Sequence, residues 1–139
     1  MNEYRWADLR VGIEQQFKVE VTGDLIDTYA RLSGDISPLH CDAAFAVASG
    51  YRERVAHGML TASFYSTLVG VYLPGRLALL HGLDIHFTSP VYAGDTLLVI
   101  GTIAFLSDAV RQMEISSEIR NQDAKRVSKA RIRVGLHES

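Results

Sequence analysis

Cysteine is all but missing: Cys41 is the only one among 139 residues. An intrachain disulfide is therefore excluded, and the fold needs neither an oxidising compartment nor a covalent staple. A lone thiol between His40 and Asp42 invites a nucleophile reading. A Cys beside a His in sequence usually faces away from it, however, so Cys41 is left out of the candidate chemistry. An excess of basic charge is missing as well. Lys and Arg number 14 against 16 Asp and Glu, for a formal net charge of −2, which offers no field for a polyanion and argues against nucleic acid as a partner. No apolar run approaches the roughly 18 residues of a membrane span. The opening stretch MNEYRWADLRVGIEQQ is broken by charges where a secretory leader needs an apolar region of about 7–15 residues. These absences lead to the expectation of a cytoplasmic protein with no membrane partner. Repeats, low-complexity tracts and linker-like shifts are also absent, so residues 1–139 are expected to form one domain that buries its own core.

What is present centres on Tyr29 to Phe45, reading YARLSGDISPLHCDAAF. Ser33 and Gly34 are residues that end a helix, and Pro38 lacks an N–H and steers Ser37 away from helical dihedrals. Asp42 stands where an N-cap belongs, ahead of Ala43 to Val47, so a second helix is expected to start just after His40. Two helices then bracket an elbow that carries the carboxylate of Asp35 and the imidazole of His40. Such a pair can exchange protons near neutrality, because a His has a reference pKa of about 6.5. Taken alone, an Asp and a His in a turn are more often a cap and a surface ring than a catalytic pair, and spacing by itself does not decide between them.

Around the elbow the pattern is that of an α+β chain. Glu14 to Val21 alternates loosely and runs into a helix from Asp24 to Leu32, with Leu25, Ile26, Tyr29 and Leu32 on its inner face. After a polar stretch, MLTASFYSTLVGVYL is apolar almost all round and is expected to be a central helix surrounded by protein, ended by Pro74-Gly75. Four strands are expected beyond it: Ala78 to Thr88 with a bulge at Gly82, Thr96 to Leu106, Val110 to Arg120 and Lys125 to Leu136. A meander of long antiparallel strands curling around the central helix is the expected architecture. His81 and His86, five residues apart on one strand, are expected on opposite faces, which argues against a shared metal.

The elbow SGDISPLHCDAAFA, then HGML with its helix, then FTSPVYAGDTL resemble, in that order, the MaoC-like, (R)-specific enoyl-CoA hydratases of the hot-dog fold. The resemblance covers nearly the whole chain. It implies reversible addition of water to a trans-2-enoyl thioester, carried by CoA or by an acyl carrier, with Asp35 and His40 as the acid–base pair. It also implies the Gly58 N–H as the donor to the thioester oxyanion and Ser66 in the pocket lining; a hydroxyl bonded back to its own helix is an equal alternative for Ser66. Ser37 and Pro38 would support the elbow. Ser37 departs from the Asn usual at that position, which bears on the tuning of the pair and on substrate preference.

The resemblance implies no cofactor and no metal, and a homodimer or dimer of dimers with the active site between subunits. His57 is expected to cap or pack at the loop-to-helix junction. Arg52, Arg54 and Arg76 either meet CoA phosphates or form a solvated face. Two alternatives remain open: a hot-dog acyl-CoA thioesterase, against which the paired elbow argues, and a non-catalytic acyl-binding module.

Overall fold

Alternation in the C-terminal half folds into long antiparallel strands, as expected. A computed structural model describes residues 1–138. Its strands are β1 (Glu14–Glu20), β2 (Ala78–Phe87), β3 (Thr96–Ser107), β4 (Gln112–Arg120) and β5 (Arg126–Leu136), in one sheet ordered β1-β3-β4-β5-β2. β3, β4 and β5 form the expected meander. β2 does not join it beside β3: β1 takes that edge, pairing Phe17 with Val99, and β2 closes the far edge against β5, pairing Leu83 with Ile132. β2 therefore has one neighbour and an open side.

The bulge expected at Gly82 is present as a register shift between Leu80 and Gly82, with His81 as the extra residue. It also corrects the reading of the two histidines. The inserted residue breaks the two-residue period. His81 lies over Gly135, which shares the outer face with Arg131 and Arg133, and is 2.8 Å from the Gln112 amide. His86 stands on that same face, 3.6 Å from Asp84.

The inner face of the sheet carries Leu97, Val99, Ile103, Met113, Ile115, Ile119, Ile132 and Val134, all fully buried. Against it lies a helix of Gly58–Thr67 that continues as a π-helical turn, Leu68–Tyr72. Cutting Ile115 or Ile132 back to Ala would cost about 2–5 kcal/mol, the range for large buried side chains. Only one side of the 58–67 helix is covered by its own chain, the side of Leu60, Thr61, Ala62 and Tyr65. Met59, Ser63 and Ser66 are exposed, on the side of the sheet that also carries Leu80, Leu83 and Phe87 of the β2 edge.

After a 3-10 turn at Trp6–Asp8, three α-helices precede that central one, here α4: α1 (Gly23–Ser33), α2 (Pro38–Cys41) and α3 (Ala43–Ala48). Thr22 caps α1, its hydroxyl accepting from the Leu25 N–H at 3.1 Å. The buried residues of α1 are Ile26 and Ala30, one turn apart. Leu32, expected on the inner face, is 81% exposed. At 100° per residue it points about 120° away from Ile26, and Ala30 fills the core position instead.

Candidate active site

Gly34 ends α1 in the left-handed region, φ 78°, with its N–H on the Ala30 carbonyl at 2.9 Å. Only a residue without a Cβ takes that conformation freely. The chain then turns tightly. The Ser33 hydroxyl donates to the Tyr29 carbonyl at 2.7 Å and accepts from the Asp35 N–H at 3.1 Å. The Asp35 carboxylate accepts in turn from the Ser37 N–H at 3.2 Å. Ser37 thus supports the elbow through its backbone, and its side chain makes no cap bond. Pro38 opens α2, where a missing N–H costs nothing. His40 sits inside that single turn, an element the spacing does not announce; the helix expected just after His40 is present as α3. Asp42 is the N-cap of α3, accepting from the Phe45 N–H at 3.1 Å, as the sequence indicates.

The segment that returns from α3 to α4 pins the elbow from below. The Val55 carbonyl lies 2.7 Å from His40 Nδ1. A carbonyl can only accept, so Nδ1 carries the proton and Nε2 keeps a free lone pair, which is the tautomer a general base needs. Val55 N–H bonds the Leu39 carbonyl at 3.1 Å. Arg54 donates to Asp27 at 2.7 Å and to the His40 carbonyl at 3.3 Å, tying α1 to the backbone of the elbow. The Arg54 guanidinium holds the Asp27 carboxyl below its ordinary value of 3.8. Arg54 is therefore an internal tie, neither a free phosphate ligand nor part of a solvated face. Arg52 lies with its guanidinium 4.3 Å from the centre of the Tyr92 ring.

His57 packs, as expected, and does not cap: no side-chain cap bond forms at the start of α4. Its ring stacks on His40 with centroids 4.0 Å apart and planes 27° apart, and meets Tyr29 edge-on at 4.8 Å. Its Nε2 is 2.9 Å from the Asp35 carbonyl. One ligand-type atom from each of Asp35, His40 and His57 lies within 4.8 Å of the others. The convergence suits proton handling better than chelation. One nitrogen of each ring is already committed to a carbonyl, His40 Nδ1 to Val55 and His57 Nε2 to Asp35.

His40 lines a cavity of about 430 Å³ together with Tyr51, Gly58, Thr61, Phe87 and Val91. Asp35 stands exposed beside it. Gly58 begins α4, so its N–H has no partner within the helix and points out of a positive helix end. Ser66 lies two turns along α4, on the exposed side and outside this lining. No hydrogen bond among the described residues ties its hydroxyl back to the helix, unlike Thr61 and Ser63. A larger concavity of about 630 Å³ on the outer face of the sheet is lined by charged side chains such as Glu14, Glu118 and Lys129. It contains neither Asp35 nor His40. Val55, Arg54 and the His57 stack escape a reading by spacing; the one signal for them is the run RVAHG placed just ahead of an apolar helix. His40 and the Gly58 N–H line one cavity, and the Asp35 carboxylate lies within 4.8 Å of a His40 ring nitrogen though outside that lining, a set suited to moving a proton while an oxyanion forms.

A five-stranded antiparallel sheet with one central helix defines a hot-dog fold, the architecture of its structural neighbours. The chain belongs to the MaoC like domain family, whose model matches residues 9–126. It is 37% identical over 87 residues to an (R)-specific enoyl-CoA hydratase of Aeromonas caviae, a match covering 63% of this chain and 65% of that protein. It is 31% identical over 111 residues to a 3-hydroxybutyryl-CoA dehydratase of Methylorubrum extorquens, covering 80% of this chain and 71% of that one. Among solved structures, the unliganded (R)-hydratase PhaJ1 of Pseudomonas aeruginosa superimposes with a TM-score of 0.90 at 29% identity, covering 96% of this chain and 86% of that one.

Proposed function

We propose that this protein is a hydro-lyase that adds water reversibly to a trans-2-enoyl thioester, carried by CoA or an acyl carrier protein, to give the (R)-3-hydroxyacyl thioester. One observation carries the reading: a His lining the cavity has its Nδ1–H committed to the Val55 carbonyl, so that in the neutral ring the lone pair is on Nε2, and a ring nitrogen of this His lies within 4.8 Å of an Asp35 carboxylate oxygen. The names of the relatives support the same chemistry. His40 Nε2 takes a proton from water as the oxygen bonds C3 of the substrate. The C2–C3 π electrons move toward the thioester, placing negative charge on its oxygen, where the Gly58 N–H donates. The proton taken from water is then returned to C2, with the carboxyl side of the pair helping to deliver it, and the reverse sequence expels water. No cofactor is called for, since each step moves only protons and one electron pair.

The active unit is proposed to be a homodimer formed by a single-domain chain. β2 offers ten residues of unpaired edge, and on its inner side lie the exposed side of α4 and the exposed Leu80, Leu83 and Phe87. An uncovered apolar edge of this kind invites a second copy. Ser66, on that uncovered side, would meet the substrate or the partner only in the assembled dimer. The test is to mix the protein with crotonyl-CoA and, separately, a saturated acyl-CoA, following enoyl absorbance and free thiol. Loss of enoyl absorbance without thiol release supports the hydratase. Thiol release indicates a thioesterase, and no reaction with either indicates a binding module.

A further inference from the structure

His57 touches both members of the candidate pair, and the hydration chemistry leaves it unused. It is 1% exposed, its face lies on His40, and its Nε2 meets the Asp35 carbonyl at 2.9 Å. That carbonyl only accepts, so Nε2 carries the ring proton. Nδ1 is the one buried side-chain nitrogen or oxygen among the described residues with no hydrogen-bond partner. A buried polar atom without a partner is a penalty that a hydrocarbon ring of the same shape avoids. As a mere filler of space, this imidazole is a poor choice. Its worth lies in the other nitrogen.

We propose that His57 is a positioning residue for the hydration step. It is a crosspiece whose Nε2–H holds the Asp35 peptide while its face sets the plane of the His40 ring, so that the carboxylate and His40 Nε2 meet the same water. This rests on the hydratase reading above. Among the described residues the Asp35 carboxylate itself accepts only from the Ser37 N–H, at 3.2 Å on an exposed turn, so its place depends on how firmly its own backbone is held. A misplacement of about 1 Å at a reacting centre is enough to cost on the order of 100-fold in rate.

Two variants separate positioning from packing. His57→Phe keeps an aromatic ring and loses the donor; His57→Gln places an amide N–H near the site of Nε2 and loses the ring. With crotonyl-CoA, His57→Phe is expected to lower kcat about 100-fold with KM within about twofold, and His57→Gln to recover about tenfold of that loss. A His57→Phe enzyme as fast as wild type, a His57→Gln enzyme no faster than His57→Phe, or a loss confined to KM would overturn the proposal. Nuclear magnetic resonance on 15N-histidine-labelled wild type supplies a readout that needs neither turnover nor a folded variant. A slowly exchanging proton on Nε2 of His57 is expected, and a proton on Nδ1 or fast exchange overturns the crosspiece. Wild-type protein inert toward crotonyl-CoA with that slow Nε2 proton intact would sink the hydratase reading and leave the clamp standing.

Discussion

Replacing Gly58 by Pro removes a single hydrogen from the site. Position 58 is the first residue of α4, where Pro is well tolerated because the N–H there has no helical acceptor. His57 precedes it at φ −56° and ψ 133°, the extended region that a residue before Pro must occupy. The Cβ that either Pro or Ala adds at residue 58 would meet Phe87 alone, standing 3.2 Å from its ring carbons. That ring is 51% exposed and can swing away. Lost freedom in the unfolded chain returns about 0.4–1 kcal/mol, so the melting temperature is expected to stay close to that of wild type. The effect on rate is different in kind. Losing one oxyanion donor costs about 2.7–4 kcal/mol, or roughly 10²–10³ in kcat. Gly58→Ala is the control, because it introduces the same Cβ and keeps the N–H. Thermal melts, and initial rates with crotonyl-CoA for all three proteins, decide the matter. Wild-type turnover by the Pro variant would refute the oxyanion role, and an Ala variant as slow as the Pro variant would show that crowding at Phe87 is the cause.

Three further outcomes follow from the packing around the site. The Asp27–Arg54 tie stabilises the fold above the ordinary carboxyl value of 3.8 and loses that contribution as pH falls through the lower folded value; the melting difference between wild type and Asp27→Asn should therefore be present at neutral pH and vanish in acid. A difference that persists unchanged in acid would contradict the pairing. Burial pushes the Tyr65 hydroxyl, 2.7 Å from Ser128, up to about 12, so the stability it lends is full below 10.0 and lost as pH rises toward about 12. Tyr65→Phe should cost about 1–3 kcal/mol in urea unfolding near neutral pH by orphaning Ser128, and no loss would argue against that hydrogen bond. Leu83→Glu on the β2 edge should halve the mass measured by light scattering, whereas a monomeric wild type would remove the basis for the dimer.

Local chemistry made much of this fold legible. Gly34, Pro38 and Asp42 carry conformational preferences strong enough to place the elbow, and alternation placed β3, β4 and β5 almost to the residue. Strand order was not legible. The alternation of β2 is the same whether it pairs with β3 or β5, and the choice follows from β1 having taken the edge of β3. Leu32 was misplaced because apolarity does not say which of two nearby helical faces meets the core. The face of His81 was misread because a bulge, once present, reverses the alternation that follows it. Asp35 and His40 were visible as a pair. What holds them, the Val55 carbonyl, the Arg54 tie and the His57 stack, comes from a loop residues away, and contacts across space leave no period in the chain.

The most direct measurement is the configuration of the product. Purified protein given crotonyl-CoA in water should consume the enoyl absorbance and yield (R)-3-hydroxybutyryl-CoA by chiral chromatography, while Asp35→Asn and His40→Ala, folded like wild type, yield none. Product of (S) or mixed configuration, or either variant working at the wild-type rate, would contradict the claim that this elbow performs the hydration.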